Sequence, residues 1–299
     1  MIISASRRTD IPAFYSDWFF QRLREGFVLV RNPINLRQVR RIPLSTDKTE
    51  CLVFWTKDPG PMLSRLDLLK EYTYYFQFTL NPYDAQFEPG VPKKAKIADT
   101  FKRLSDIVGP ARVVWRYDPV IISDHADAGY HLRSFETLAG ELQGYTEKCI
   151  ISFVDYYRKV HGNFERHGIR EMDDSVKRGI GAGFSAIAQT YGLRLETCAE
   201  EIDLQELGID HARCIDPVLI GKLTGSRVPH RKDANQRKAC GCLPGVDIGA
   251  YNTCTHGCVY CYANFSRVSV KNNILKYDVN SPLLCSSLTE TDRIGGEDR

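Results

Sequence analysis

The chain has 299 residues, 43% of them hydrophobic, and a formal net charge of +3. That is enough apolar material for a sizeable core and too little charge to argue for nucleic acid on its own. There is no run of eighteen apolar residues to span a membrane, and the start, MIISASRRTD, lacks the charged end and apolar run of a secretory leader. A cytoplasmic location without membrane attachment is therefore expected, and there ten cysteines point to metal or redox use rather than a disulfide framework.

In chain order, residues 2–6 form a short apolar run that reads as a buried strand. It stops at the polar cluster Arg7, Arg8, Thr9 and Asp10. Asp17 can cap a helix through about Gly26. Residues 27–50 read as irregular and basic, with Pro33 and Pro43 breaking any long element. Further strands are expected over 51–55, 72–80, 112–117, 149–154 and 193–197, and one more over 246–250. Between them, helices are expected over 62–70, 93–108, 131–143 and 173–191, the last weakened by Gly179, Gly181 and Gly183. Residues 202–218 are too mixed to assign.

This alternation suits parallel crossovers, and several strands are continuous apolar runs, as strands covered on both faces must be. The expectation is an α/β fold: a (β/α) barrel of TIM-like type, complete or partial. A doubly wound open sheet is the alternative, without a Gly-x-Gly-x-x-Gly after the first strand to support dinucleotide binding. Residues 1–270 would form one domain and 271–299 a tail, mobile after about Lys276. In such barrels the active site lies where strands end. Here the strand ends carry Arg7, Arg8, Asp10, Lys57, Asn81, Asp118, Asp155 and Glu200. Lys57, Asp118 and Asp155 are candidate catalytic groups. From Lys222 to Lys238 six cations face one acid, Asp233, which reads as a solvated loop or a polyanion-binding rim.

The most specific stretch is ACGCLPGVDIGAYNTCTHGCVYCYAN, residues 239–264. Cys254, Cys258 and Cys261 are spaced C-x3-C-x2-C, with Tyr260 just before the last. Three thiolates can hold three irons of a 4Fe-4S cubane and leave the fourth without a protein ligand, where four cysteines are usual. An open metal position is where a small molecule can react. Cys240 and Cys242 are possible additional ligands: to a second metal, to the fourth iron, or as a redox pair. With Cys258 and Cys261 they could also make a tetrahedral zinc site, with His256 as a further ligand. His256 reads better as a hydrogen-bond donor to a sulfur. Cys51, Cys149 and Cys198 read as small buried hydrophobes, and Cys214 and Cys285 fit no pattern.

Cys254, Cys258, Tyr260 and Cys261 resemble the cluster loop of radical S-adenosylmethionine enzymes, C-x3-C-x-aromatic-C. The segments SASRRTDIPAF, VFWTKDP, WRYDP, CIISFVDYY and DIGAYNTCTHGCVYCYAN resemble a bacterial family, the domain of unknown function 1848, over most of residues 1–270. The radical enzymes carry this loop after their first strand, whereas here it comes last, so the order is permuted or the loop serves other chemistry. The resemblance implies a 4Fe-4S cluster with S-adenosylmethionine on the open iron, and a 5′-deoxyadenosyl radical as the reactive species. It implies Tyr260 near the adenine, and Ser6, Arg7 and Arg8 as contacts for the amino and carboxylate groups. It also implies an electron donor such as flavodoxin or ferredoxin, and leaves a small-molecule or nucleic-acid substrate open. Electron transfer without S-adenosylmethionine chemistry, and a zinc-stapled nucleic-acid-binding protein, are the alternatives. Gly295-Gly296-Glu297 is similar to an amine-binding motif of some radical enzymes, although chain-end placement argues for coincidence.

Overall fold

The computed structural model describes residues 1–156 and 160–295. Tyr157 and the Gly296-Glu297 pair, both noted in the sequence, lie outside the described residues. In chain order the elements are β1 (Ile2–Ala5), α1 (Ile11–Phe14), α2 (Ser16–Glu25), β2 (Phe27–Arg31), β3 (Gln38–Pro43), β4 (Cys51–Thr56), β5 (Tyr74–Thr79), α3 (Lys94–Val108), β6 (Val113–Val120), α4 (Ala128–Glu141), β7 (Lys148–Phe153), α5 (His161–Arg166), α6 (Asp174–Thr190), β8 (Arg194–Thr197), β9 (Asp210–His211), α7 (Pro217–Thr224), β10 (Val246–Asp247), α8 (Arg267–Ile274) and β11 (Arg293–Gly295). A 3-10 helix, Gly60–Leu69, takes the place of the α-helix expected there, with Pro61 in its first turn. The chain divides into two compact units: 1–74 with 245–257 and 263–299, and 75–244 with 258–262.

In the first unit β10, β1 and β4 run parallel, with Ser4 opposite Asp247 and Ala5 opposite Phe54. Every residue of β1 is buried, which is why it reads as an unbroken apolar run. Helix α2 buries Trp18, Phe19 and Phe20, and Phe19 meets Phe54 edge-on with ring centroids 5.2 Å apart.

Two expectations for this unit are corrected. Residues 27–50 are not irregular: β2 and β3 form an antiparallel pair, Val28 opposite Ile42, extended by β11 parallel to β3. The buried residues of β3, Val39 and Ile42, are three apart with two exposed arginines between them, so the strand shows no period of two. Nor is the stretch after Lys276 a loose tail. Leu283, Leu284 and Cys285 are buried, Trp18 Nε1 donates to Ser281 O at 2.8 Å, Arg22 Nη2 donates to Asn280 O at 3.0 Å, and Arg31 Nη2 donates to Asp292 Oδ2 at 2.7 Å.

In the second unit β5, β6, β7, β8 and β9 form a parallel run in that order. Phe135 of α4 stacks on Trp115 of β6 and on Phe184 of α6, with centroids 5.0 and 4.2 Å away. Of the glycines expected to weaken α6, Gly183 serves this packing: a Cβ there would lie 2.4 Å from Leu132 Cδ2. The unassigned 202–218 region holds β9 and runs into α7, which Asp216 caps through Val218 N with Pro217 in its first turn. Both units are therefore α/β with parallel strands. Among the described residues no barrel closure is seen. Among the described residues, no helix is long and apolar enough to cross a membrane.

Candidate functional site

In the first unit the polar groups after β1 converge on Asp247, a residue with no assigned role in the sequence reading. Its carboxylate accepts from Ser4 Oγ (2.8 Å), Ser6 Oγ (2.6 Å), Arg7 N (2.8 Å) and Gly249 N (3.0 Å), and Arg8 Nε lies 3.9 Å away. The Ser6 hydroxyl is thus held by Asp247 and itself accepts from Arg8 N at 2.9 Å. The guanidinium of Arg7 lies over the Trp55 ring and that of Arg8 over Tyr251. Gly249 is required at its position, because a Cβ there would sit 2.1 Å from Ser6 Oγ.

A second knot fixes the start of the cysteine loop. Asp10 caps α1 through Ala13 N at 3.0 Å, and its other oxygen accepts from Lys57 N (2.7 Å) and pairs with His256 Nε2 (2.8 Å). Both side chains are buried, and Phe14 packs on the imidazole with centroids 4.6 Å apart. His256 therefore commits its Nε2 to Asp10 rather than to a sulfur, and Lys57 enters this knot through its backbone. Tyr15 donates to Thr253 O at 2.5 Å; burial pushes its phenol far up, with Cys285 and Cys254 adding to the effect. Asn264 Nδ2 donates to Cys254 O at 2.6 Å, and Gly257 takes the left-handed conformation that lets the loop turn.

In the second unit Cys261 N donates to Cys258 O at 3.1 Å, Val259 N donates to Phe87 O at 3.0 Å, and Asn163 Nδ2 donates to Val259 O at 3.1 Å. Tyr260 packs against the apolar cluster that includes Tyr83, Phe87 and Phe164. Its hydroxyl donates to Glu88 and accepts from Asn81 Nδ2 at 3.1 Å. Burial and the Glu88 charge push the Tyr260 phenol well above its ordinary range. Glu88 in turn pairs with Lys94.

The candidate acid–base groups of this unit are differently placed. Asp118 is paired with Arg116 (Nη2 to Oδ2, 2.6 Å) and accepts from Ser152. Asp155 pairs with Arg237 at the surface. Glu200 accepts from Phe153 N at 2.9 Å, and burial pushes its carboxyl up to about 7. It lines a 530 Å³ cleft with Asp155, Lys177, Arg237 and Lys238. Of the basic run 222–238, Lys222 is paired with Glu147 and Arg237 with Asp155, which weakens the case for a polyanion rim.

Cys258 is buried, and Cys254 and Cys261 are half-buried. Among the described residues, no three His, Cys, Asp or Glu side chains are placed to hold a single metal ion. A tetrahedral zinc site needs four donors about 2.3 Å from one atom, so this geometry does not support the zinc set of Cys240, Cys242, Cys258 and Cys261. A cubane asks for something else, since each thiolate binds its own iron. Three cysteines within residues 254–261 on a braced loop fit that donor chemistry. Cys240 and Cys242 are engaged elsewhere: their thiols hydrogen-bond each other, and Cys242 Sγ accepts from Cys214 N at 3.2 Å.

These features define an α/β protein with parallel strands and a cysteine-rich loop after β10. The chain belongs to the family described as "Domain of unknown function (DUF1848)", whose model matches residues 2–263. No curated protein matches it. Among solved structures, one of a "putative alpha-L-fucosidase from Bacteroides thetaiotaomicron" is similar at 11% identity, covering 76% of this chain and 84% of that one, with a TM-score of 0.27. A likeness that low carries no argument about function.

Proposed function

We propose that the protein is an iron-sulfur enzyme of the radical S-adenosylmethionine type, with Cys254, Cys258 and Cys261 as the cluster ligands. The observation that carries this reading is the loop itself: three cysteines at C-x3-C-x2-C spacing, braced by Asp10–His256 at one end and by Tyr260 at the other. The engagement of Cys240 and Cys242 with Cys214 supports a loop that offers three sulfurs rather than four. When bound, the cluster and S-adenosylmethionine would supply one-electron cleavage of the sulfonium and a 5′-deoxyadenosyl radical. The protein's part is to position and to exclude side reactions. Asp247 orders Ser6 and the Arg7 N–H after β1, the segment where the resemblance places the amino-acid end of S-adenosylmethionine.

The test is anaerobic purification and reconstitution, followed by iron analysis and EPR of the reduced protein. Adding S-adenosylmethionine should change the EPR spectrum, and dithionite should release 5′-deoxyadenosine. An unchanged spectrum with no nucleoside product would reject the reading. Serine at 254, 258 and 261 should abolish both signals.

A further inference from the structure

Four other cysteines, all in the second unit, meet away from that loop. Cys198 follows β8, Cys214 lies between β9 and α7, and Cys240 and Cys242 flank Gly241 ahead of β10. Cys198 Sγ and Cys214 Sγ are 3.4 Å apart, Cys242 Sγ accepts from Cys214 N at 3.2 Å, and the Cys214–Cys242 and Cys242–Cys240 thiols hydrogen-bond. The fold thus lines the sulfurs up in the order Cys198, Cys214, Cys242, Cys240, each in contact with the next. Thiols in contact can pass a disulfide bond along with little motion. Their backbone is pinned: Tyr75 Oη and Gln77 Nε2 both donate to Cys214 O, at 2.6 and 3.0 Å, and Asp233 N donates to Cys242 O at 2.9 Å.

A second observation is where the string ends. Its middle members, Cys214 and Cys242, are buried, whereas Cys198 is half-buried. Ala199 and Ala239, the residues beside Cys198 and Cys240, both line the 530 Å³ cleft that holds Glu200. Both ends of the string therefore border one cleft. It lies past the carboxyl ends of β7 and β8, where parallel α/β sheets take small ligands. Lys177 and Lys238 line it together with Asp174 and Glu201, so it offers charges of both signs. The hydrogen bond with Cys242 holds the Cys240 thiol down at about 7, so this end of the string carries thiolate at neutral pH. Hydrogen bonding to Cys214 and burial push Cys198 well up.

We propose that these four cysteines form a dithiol–disulfide exchange relay that takes a small zwitterionic disulfide, of the glutathione class, from the cleft. The Cys240 thiolate attacks one sulfur of the small disulfide; a mixed disulfide forms, and the other half leaves as a thiolate and takes up a proton. Cys242 then attacks Cys240 and releases the second half as a thiol. Cys214 attacks Cys242 and frees Cys240, and Cys198 attacks Cys214 and frees Cys242. Each step replaces one sulfur–sulfur bond with another between neighbours in the string. The small disulfide is reduced to two thiols, Cys198 and Cys214 are oxidised to one disulfide, and their protons end on the released thiols. The relay uses none of Cys254, Cys258 and Cys261 and stands apart from the cluster reading.

The experiment uses the full chain, reduced and purified without oxygen, then mixed with glutathione disulfide. Samples are quenched in acid, alkylated and mapped by peptide mass spectrometry. Early quenches should show glutathione on Cys240, and late ones a Cys198–Cys214 disulfide with both halves of the glutathione disulfide released as thiol. Cys240→Ser should slow formation of that disulfide about tenfold or more, and Cys198→Ser should stop the relay at a Cys214–Cys242 disulfide. If a variant does not fold, the order of adducts in the wild type decides. A lasting adduct without an internal disulfide, first attack by another of the four, unreacted thiols, or protection of the four from alkylation by bound iron or zinc would overturn the proposal. No readout depends on a cluster at the loop, so the two readings fail separately.

Discussion

Glu200 and Asp10 show how single carboxylates are put to different uses. Glu200 is held out of water, so the folded state keeps its proton up to about 7, against an ordinary value of 4.5. Between those two values the unfolded chain releases the proton first, and stability falls as pH rises through the window, then levels off. The expected size is on the order of 3 kcal/mol, about 1.4 kcal/mol for each unit between 4.5 and about 7. Urea midpoints at pH 5 and 7.5 should therefore differ in the wild type and converge in Glu200→Gln; parallel behaviour would show that Glu200 is not the titrating group. Asp10 joins α1, the residue after β4 and His256 through one carboxylate. A double-mutant cycle of Asp10→Ala and His256→Ala should give a coupling of about 1–2 kcal/mol. Zero coupling would mean that Asp10 serves the backbone alone and does not brace the cysteine loop.

Elements were readable where burial is two-sided. The strands β1, β4, β5, β6, β7 and β8 emerge as apolar runs because parallel strands bury both faces. The β2–β3 pair was hidden because its arginines face solvent and interrupt the alternation. The Asp247 knot was hidden for another reason: its partners lie about 240 residues away, and no local pattern reports a long-range hydrogen bond. The cysteine loop was legible because its ligand spacing is local, whereas the Cys198–Cys214–Cys242 string is assembled only by the fold. Glycines separate the same two kinds of constraint. At Gly249 an added Cβ meets Ser6 Oγ at 2.1 Å and Ser6 Cβ at 2.6 Å, inside a bonded knot between β1 and β10. At Gly183 it meets the far end of Leu132, which can rotate. Gly249→Ala should cost about 2–4 kcal/mol and Gly183→Ala less than half of that. Thermal and urea unfolding of the two variants will rank them, and a reversed order would contradict the packing described for β1 and β10.

At the scale of the whole molecule, the first unit is built from both ends of the chain, and its last segment lies beyond the matched family region, which ends at residue 263. Within residues 277–295, Leu283, Leu284 and Cys285 are nonetheless buried. Ser281 O and Asn280 O take the hydrogen bonds of Trp18 and Arg22, Leu283 packs with Leu29 and Val39, and Arg293 to Gly295 supply an edge to β3. Removing them uncovers apolar side chains and leaves the buried Arg22 guanidinium without a carbonyl partner, a loss well above that of one surface contact. A chain ending at Lys276 should therefore unfold at lower urea concentration, with Trp18 more open to acrylamide quenching. Its quota of iron per folded molecule should not change, since Cys254, Cys258 and Cys261 all precede residue 262. If the truncated chain keeps the full-length midpoint and quenching, the segment is an appendage and the packing of α2 against it contributes nothing. If it folds normally but loses iron, residues 277–295 support the cluster loop rather than the core beneath Trp18.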